Sequence, residues 1–130
     1  MSAPLAVSLG DPAGVGPELL AQAWLELRGA DAGRAVPFFA VGGARILAAA
    51  ATSRGLEVPV RLIDDPAEAA AAFTFALPVL VGPDGDYAPG EPTRAGAQIA
   101  LASLTAAAGL AVTGQACGIV TGPIAKSRLA

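Results

Sequence analysis

Residues 10–18 read Gly-Asp-Pro-Ala-Gly-Val-Gly-Pro-Glu, three glycines and two carboxylates set between two apolar runs. Glycine lets the backbone take positive φ and lets a ligand come close. A helix that starts just after such a loop offers free N–H groups and a partial positive charge, which suit an anion such as a phosphate. Gly10, Asp11, Gly14 and Gly16 are therefore candidates to bind a cofactor or a substrate. The spacing is not the G-x-G-x-x-G dinucleotide fingerprint. Nor is it a P-loop, which needs Lys and Ser/Thr after the last glycine. On spacing alone, a structural strand-to-helix turn with Asp11 capping local N–H groups stands equally open.

Residues 120–126, Val-Thr-Gly-Pro-Ile-Ala-Lys, repeat the arrangement: an apolar run ends, a glycine and a proline turn, and a helix starts. Thr121 supplies a hydroxyl. Lys126 is the only lysine in the chain and could hold a phosphate or carboxylate as a point charge. A solvated lysine is the plain alternative, although a cation at a helix start opposes the dipole. Residues 89–96 form a third stretch, in which Thr93 can cap a helix and Arg94 could grip an acidic ligand. A capped surface loop explains it as well.

The elements that must position these residues alternate. Residues 5–9 form a strand, and a helix follows from Pro17 to about Arg28. Pro17 suits its first turn and Glu18 complements its dipole. A strand over 36–41 ends at Gly42-Gly43, and a helix over 44–54 ends at Gly55. A strand over 58–63 leads into Asp64-Asp65-Pro66-Ala67-Glu68, a helix-start signature, and a short helix to about Ala72. Residues 75–81 read as a strand that Pro78 demotes to an edge or a break. A loop over 82–93 precedes an alanine-rich helix over 94–108. A buried strand over 116–121 and a last helix close the pattern. Such alternation predicts an α/β fold, a mostly parallel sheet flanked by helices. Ligands in such sheets bind beyond the carboxyl ends of the strands, where the first two motifs fall.

Composition bounds the rest. The chain has 130 residues, fitting one domain, with 54% hydrophobic and 15% charged residues and a net charge of −3. With no basic stripe, nucleic acid is not the expected partner. Histidine is absent, which removes the commonest transition-metal ligand, and no metal-binding residue is expected here. The single cysteine, Cys117, lies in an apolar run and is expected to be a buried small hydrophobe. One cysteine cannot form an internal disulfide, so a reducing cytoplasm is expected. Residues 95–125 carry no charge. Gly96, Gln98, Thr105, Gly109, Thr113, Gly114 and Gln115 are expected to divide them into two shorter elements, rather than a membrane span.

Taken in order, residues 7–18, the Pro-Gly-Glu-Pro-Thr loop before a Gly-Ala helix, and residues 119–126 resemble the PdxA family of vitamin B6 synthesis, the 4-hydroxythreonine-4-phosphate dehydrogenases. The resemblance covers the whole chain, which is less than half of a typical family member. It implies an isocitrate/isopropylmalate dehydrogenase-like fold, truncated here, with residues 1–130 as the N-terminal α/β portion of a longer two-subdomain enzyme. It implies a homodimer with a cleft site, and oxidation of 4-phosphooxy-threonine with NAD or NADP, followed by loss of CO₂. A divalent metal (Zn, Mg or Co) would assist, held by histidines outside this segment, and no catalytic residue is expected within it. The family often carries Asn or His where Ala125 stands. Two other readings remain: a paralogue acting on another phosphorylated sugar acid such as phospho-threonate, and a non-catalytic chain acting only in binding or assembly.

Overall fold

In a computed structural model of the chain, residues 3–10, 14, 16–27, 37–85, 87, 90 and 93–120 are described. The strands are β1 (Leu5–Ser8), β2 (Phe38–Val41), β3 (Val60–Ile63), β4 (Leu77–Leu80) and β5 (Ile119–Val120). The helices are α1 (Gly16–Leu27), α2 (Ala44–Ser53), α3 (Ala69–Phe73) and α4 (Arg94–Val112), with a short 3₁₀ turn over Pro66–Glu68. The strands pair in the order β3-β4-β2-β1-β5, every pair parallel. All of them therefore point their carboxyl ends at one rim. The α/β reading of the sequence holds.

β2 lies at the centre and is buried throughout. Its alternate residues divide the core into two layers, as a period of two requires. Phe38 and Ala40 meet Leu20 and Trp24 of α1 and Ile46 and Leu47 of α2. Phe39 and Val41 share the opposite layer with Ala69 and Ala72 of α3 and Ala107 of α4. Trp24 is buried, and its indole N–H donates to the Phe73 carbonyl at 2.9 Å. Phe73 meets Phe38 edge to face with ring centroids 5.0 Å apart, a favoured aromatic geometry. The predicted helix start at Asp65 forms in full: its carboxylate accepts from Ala67 N–H, and Glu68 accepts from the Asp65 N–H.

Four expectations need correction. β4 lies inside the sheet, although it contains Pro78. Leu77 and Val81 donate to Pro59 and Ile63 on the β3 side. Alternation turns the Pro78 nitrogen toward β2, where pairing starts only at Ala40–Val79. The missing N–H thus falls where no rung is made. α4 runs through Gly109 to Val112, so the break comes at Thr113-Gly114. Its 19 residues are long and apolar enough to cross a membrane by length and composition. Gly96, Ala97, Ala100, Ser103 and Ala107 are buried on the sheet side. The buried strand expected over 116–121 is instead a two-residue strand, exposed at both positions. Cys117 beside it is exposed too. Among the described residues β5 pairs only with β1, so apolar composition there does not produce burial.

Candidate functional site at the carboxyl ends of the strands

At the rim, β1 runs out through Leu9 into Gly10, which is buried and turns with φ 77°. That left-handed conformation favours glycine over any other residue. Gly14 is half-buried. Gly16 is the first residue of α1 and helical, so its use is to start the helix, and positive φ falls at Gly10 instead. Asp11, Thr121 and Lys126 lie outside the described residues. β5 pairs with β1 through Ala6–Ile119 and Val7–Val120. The strands that lead into the first and second motifs are thus neighbours.

The other strand ends shape the surroundings. β2 turns into α2 through Gly42 and Gly43, at φ 76° and 78°. A Cβ on Gly42 would meet the Pro83 carbonyl oxygen at 2.3 Å. The loop after β4 thus lies directly on this turn, and Gly43 N–H donates to that carbonyl at 2.8 Å. Asp84 then accepts from the Arg45 N–H at 2.9 Å, serving the first turn of α2 with an internal anion.

Further along the loop, the Tyr87 hydroxyl donates to Glu18 in the first turn of α1. Arg54, which caps the end of α2, stands 3.8 Å from the same carboxylate, and the Ser53 hydroxyl is 3.4 Å from Tyr87. Burial, and then the hydrogen bond to the Glu18 carboxylate, push the Tyr87 hydroxyl pKa above 10.0. This contact ties the β4–α4 loop to the helix that starts at the glycine motif.

α4 completes the rim. Thr93 caps it, its hydroxyl accepting from Gly96 N–H at 2.9 Å, and Arg94 is exposed in the first turn. Ser103 reaches the ends of both β1 and β2: its hydroxyl accepts from Leu9 N–H at 2.9 Å and donates to the Val41 carbonyl at 2.7 Å. The residues of α4 before Ser103 span about 13 Å of helix at 1.5 Å per residue, with Gly96, Ala97 and Ala100 buried. Ile99 in that stretch approaches Gly85, where an added Cβ would lie 2.7 Å from its Cδ1.

Sequence reasoning passed over Ser103, Asp84 and Tyr87. Ser103 carried a usable signal, a polar residue in phase with the buried Ala97, Ala100 and Ala107. A cavity of about 320 Å³ lies away from the glycine motif, between Pro4, the Asp65–Ala67 turn, Ala70 and Gly114-Gln115. Its one carboxylate, Asp65, is spent on the cap.

Among the described residues no group of three His, Cys, Asp or Glu side chains could hold a metal ion. The described residues do not fit a metal centre. For a dinucleotide or a phosphorylated ligand the described residues offer the left-handed Gly10 turn and the start of α1.

Comparison with known proteins agrees with this architecture. The chain is 52% identical over 126 residues to a 4-hydroxythreonine-4-phosphate dehydrogenase from Erythrobacter litoralis, covering 97% of this chain and 37% of that protein. The structure is similar to a 4-hydroxythreonine-4-phosphate dehydrogenase from Burkholderia phymatum, with TM-score 0.82 and 26% identity, covering 99% of this chain and 38% of that one. A second, from Klebsiella pneumoniae, gives TM-score 0.77 at 29% identity, covering 98% and 39%. The chain thus spans little more than a third of the length of the relatives it matches. A family model described as "Pyridoxal phosphate biosynthetic protein PdxA" matches residues 34–130, and the chain belongs to that family.

Proposed function

We propose that residues 1–130 are the N-terminal α/β portion of a two-subdomain, homodimeric, cytoplasmic dehydrogenase that oxidises 4-phosphooxy-threonine in pyridoxal phosphate biosynthesis. The observation that carries this reading is the family match over residues 34–130. In this reading the rim binds and orients anionic groups. The left-handed Gly10 turn brings backbone close to the ligand, and Gly14, Gly16 and the first N–H groups of α1 face a phosphate. Asp11 and Thr121 add hydrogen-bonding side chains, and Lys126 adds a point charge. Bound NAD or NADP would accept the hydride released from the substrate carbon that bears the 3-hydroxyl. A divalent metal, if required, is held by residues outside this segment.

The test is a turnover assay on the full-length protein. 4-Phosphooxy-threonine and phospho-threonate would each be offered with NAD and with NADP, before and after exhaustive chelation. Reduction of the nicotinamide with 4-phosphooxy-threonine, lost on chelation and restored by metal, is the expected result. Turnover with phospho-threonate alone would move the protein to a different substrate. Activity that survives chelation would remove the metal from the mechanism. Lys126→Ala should raise a KM by an amount equivalent to about 1–3 kcal/mol, typical for a charged hydrogen bond; unchanged kinetics would return Lys126 to the solvated surface.

A further inference from the structure

The parallel ladder between β1 and β2 stops one rung early. In its register Leu5 pairs with Phe38 and Ser8 with Val41. Leu5 N–H donates to the Pro37 carbonyl at 3.0 Å. Each further rung comes two residues on, so the rung due at the strand ends is Leu9 N–H to the Val41 carbonyl. Those two groups do not meet. The Ser103 hydroxyl stands between them, accepting from Leu9 N–H at 2.9 Å and donating to Val41 at 2.7 Å. A hydroxyl can do both at once, and Ser103 is fully buried. The next group on β2 has also left: Gly43 N–H goes to Pro83, on the β4 side. Beyond Val41, β2 follows the loop after β4 and parts from β1, which runs on into Gly10.

We propose that Ser103 is a positioning residue for the ligand-binding turn. Its hydroxyl replaces the last rung, holds the ends of β1 and β2 apart, and so fixes where Leu9 delivers Gly10 and the start of α1. Without the hydroxyl, Leu9 N–H and the Val41 carbonyl are two buried polar groups that can satisfy each other only by closing the gap. Closure would draw Gly10 toward β2 and so shift the turn. The ligand part of this inference rests on the anion-binding reading of the rim given above.

Ser103→Ala and Ser103→Thr in the full-length protein test it, with two readouts. The first is structural and independent of any substrate: the Leu9 N to Val41 O distance in crystals of the wild type and of Ser103→Ala. Collapse to a direct hydrogen bond in the alanine variant supports the wedge, and an unchanged gap overturns it. The second is binding. Expected is a KM for the phosphorylated substrate or the dinucleotide raised about tenfold or more in Ser103→Ala, with kcat within about twofold. Ser103→Thr, which keeps the hydroxyl, should stay nearer the wild type in KM. Unchanged KM in a folded Ser103→Ala protein overturns the positioning role. So does an equal loss in both variants that tracks their thermal stability, since that is the signature of packing alone. Should the wild type turn over none of the substrates offered, the dehydrogenase reading fails by itself. The wedge is then judged by the crystal distance and by inorganic phosphate titrated against the Gly10 amide signal in both proteins. Weaker phosphate binding in Ser103→Ala supports it, and equal binding or none in either protein overturns it.

Discussion

Two residues at the rim show how far a single side chain governs this fold. Gly42 has positive φ, and a Cβ there would lie 2.3 Å from the Pro83 carbonyl oxygen. That oxygen is backbone, and it already accepts from Gly43 N–H, so it cannot move without breaking the turn. Gly55 has a similar φ of 69° but nothing within 4 Å of a built Cβ. Gly55→Ala therefore tests left-handed strain alone, and we expect a cost of about 1 kcal/mol. Gly42→Ala adds the clash and should cost about 3 kcal/mol or more. Urea unfolding of both variants checks this, and equal costs would mean the loop after β4 yields freely. Tyr87 makes a second case, in pH. Its hydroxyl is held protonated above the ordinary 10.0, so around and above pH 10 the folded state binds more protons than the unfolded one. Stability must then fall as pH rises through that window, and be fully present below it. Tyr87→Phe should lower stability below pH 9 by about 1 kcal/mol for the lost hydrogen bond, while flattening the decline above pH 10. Parallel curves for the two proteins would show that the Tyr87–Glu18 contact does not survive in solution.

At the scale of elements, the start of the 3₁₀ turn and α3 offers a clean measurement. Asp65 and Glu68 satisfy each other's backbone donors, so Asp65→Ala should cost about 1 kcal/mol. Because the two residues act as one unit, adding Glu68→Ala should cost less than the sum of the two single changes. Strict additivity in thermal unfolding would refute the reciprocal cap. The same element was legible in the sequence because capping is local, and so were β1, α1 and the Gly42-Gly43 turn. Pro78 misled because its effect depends on which neighbour its nitrogen faces, a property of the assembled sheet. Cys117 and the strand beside it misled because apolar composition records affinity for a covering surface and not its presence. Ser103 went unread because α4 is so rich in alanine that its buried and exposed faces differ little in hydropathy. A serine in such a run carries its meaning in its helical phase alone. In the candidate site, the glycine motif at the end of β1 was visible as a pattern, whereas the loop that ties Tyr87 to Glu18 joins residues 69 positions apart.

At the scale of the whole molecule, the distribution of apolar surface decides how residues 1–130 behave by themselves. Parallel sheets are ordinarily covered on both faces, and edges left bare pair with other chains. Among the described residues β3 and β5 are the edges, and β5 exposes both Ile119 and Val120. Phe75 is 78% exposed and Val112 88%. Leu62 and Val81 add to the bare surface near the β3 edge, and Leu101 adds to it on α4. Several large hydrophobic side chains on both flanks of one small sheet exceed what scattered surface residues need, and such patches associate. The relatives that the chain matches are nearly three times its length, the chain covering 37% of the Erythrobacter protein. We therefore expect residues 1–130 expressed alone to self-associate or stay partly unfolded, to show no dehydrogenase activity, and to bind no catalytic metal, while the full-length protein stays dispersed at the same concentration. Light scattering across a dilution series, with an activity assay on both proteins, distinguishes the outcomes. A segment that remains a stable monomer at high concentration would show that its edges are protected by its own loops. Measurable oxidation by the segment would place the chemistry on this sheet, contrary to the reading of the rim as an anion-binding half of a larger site.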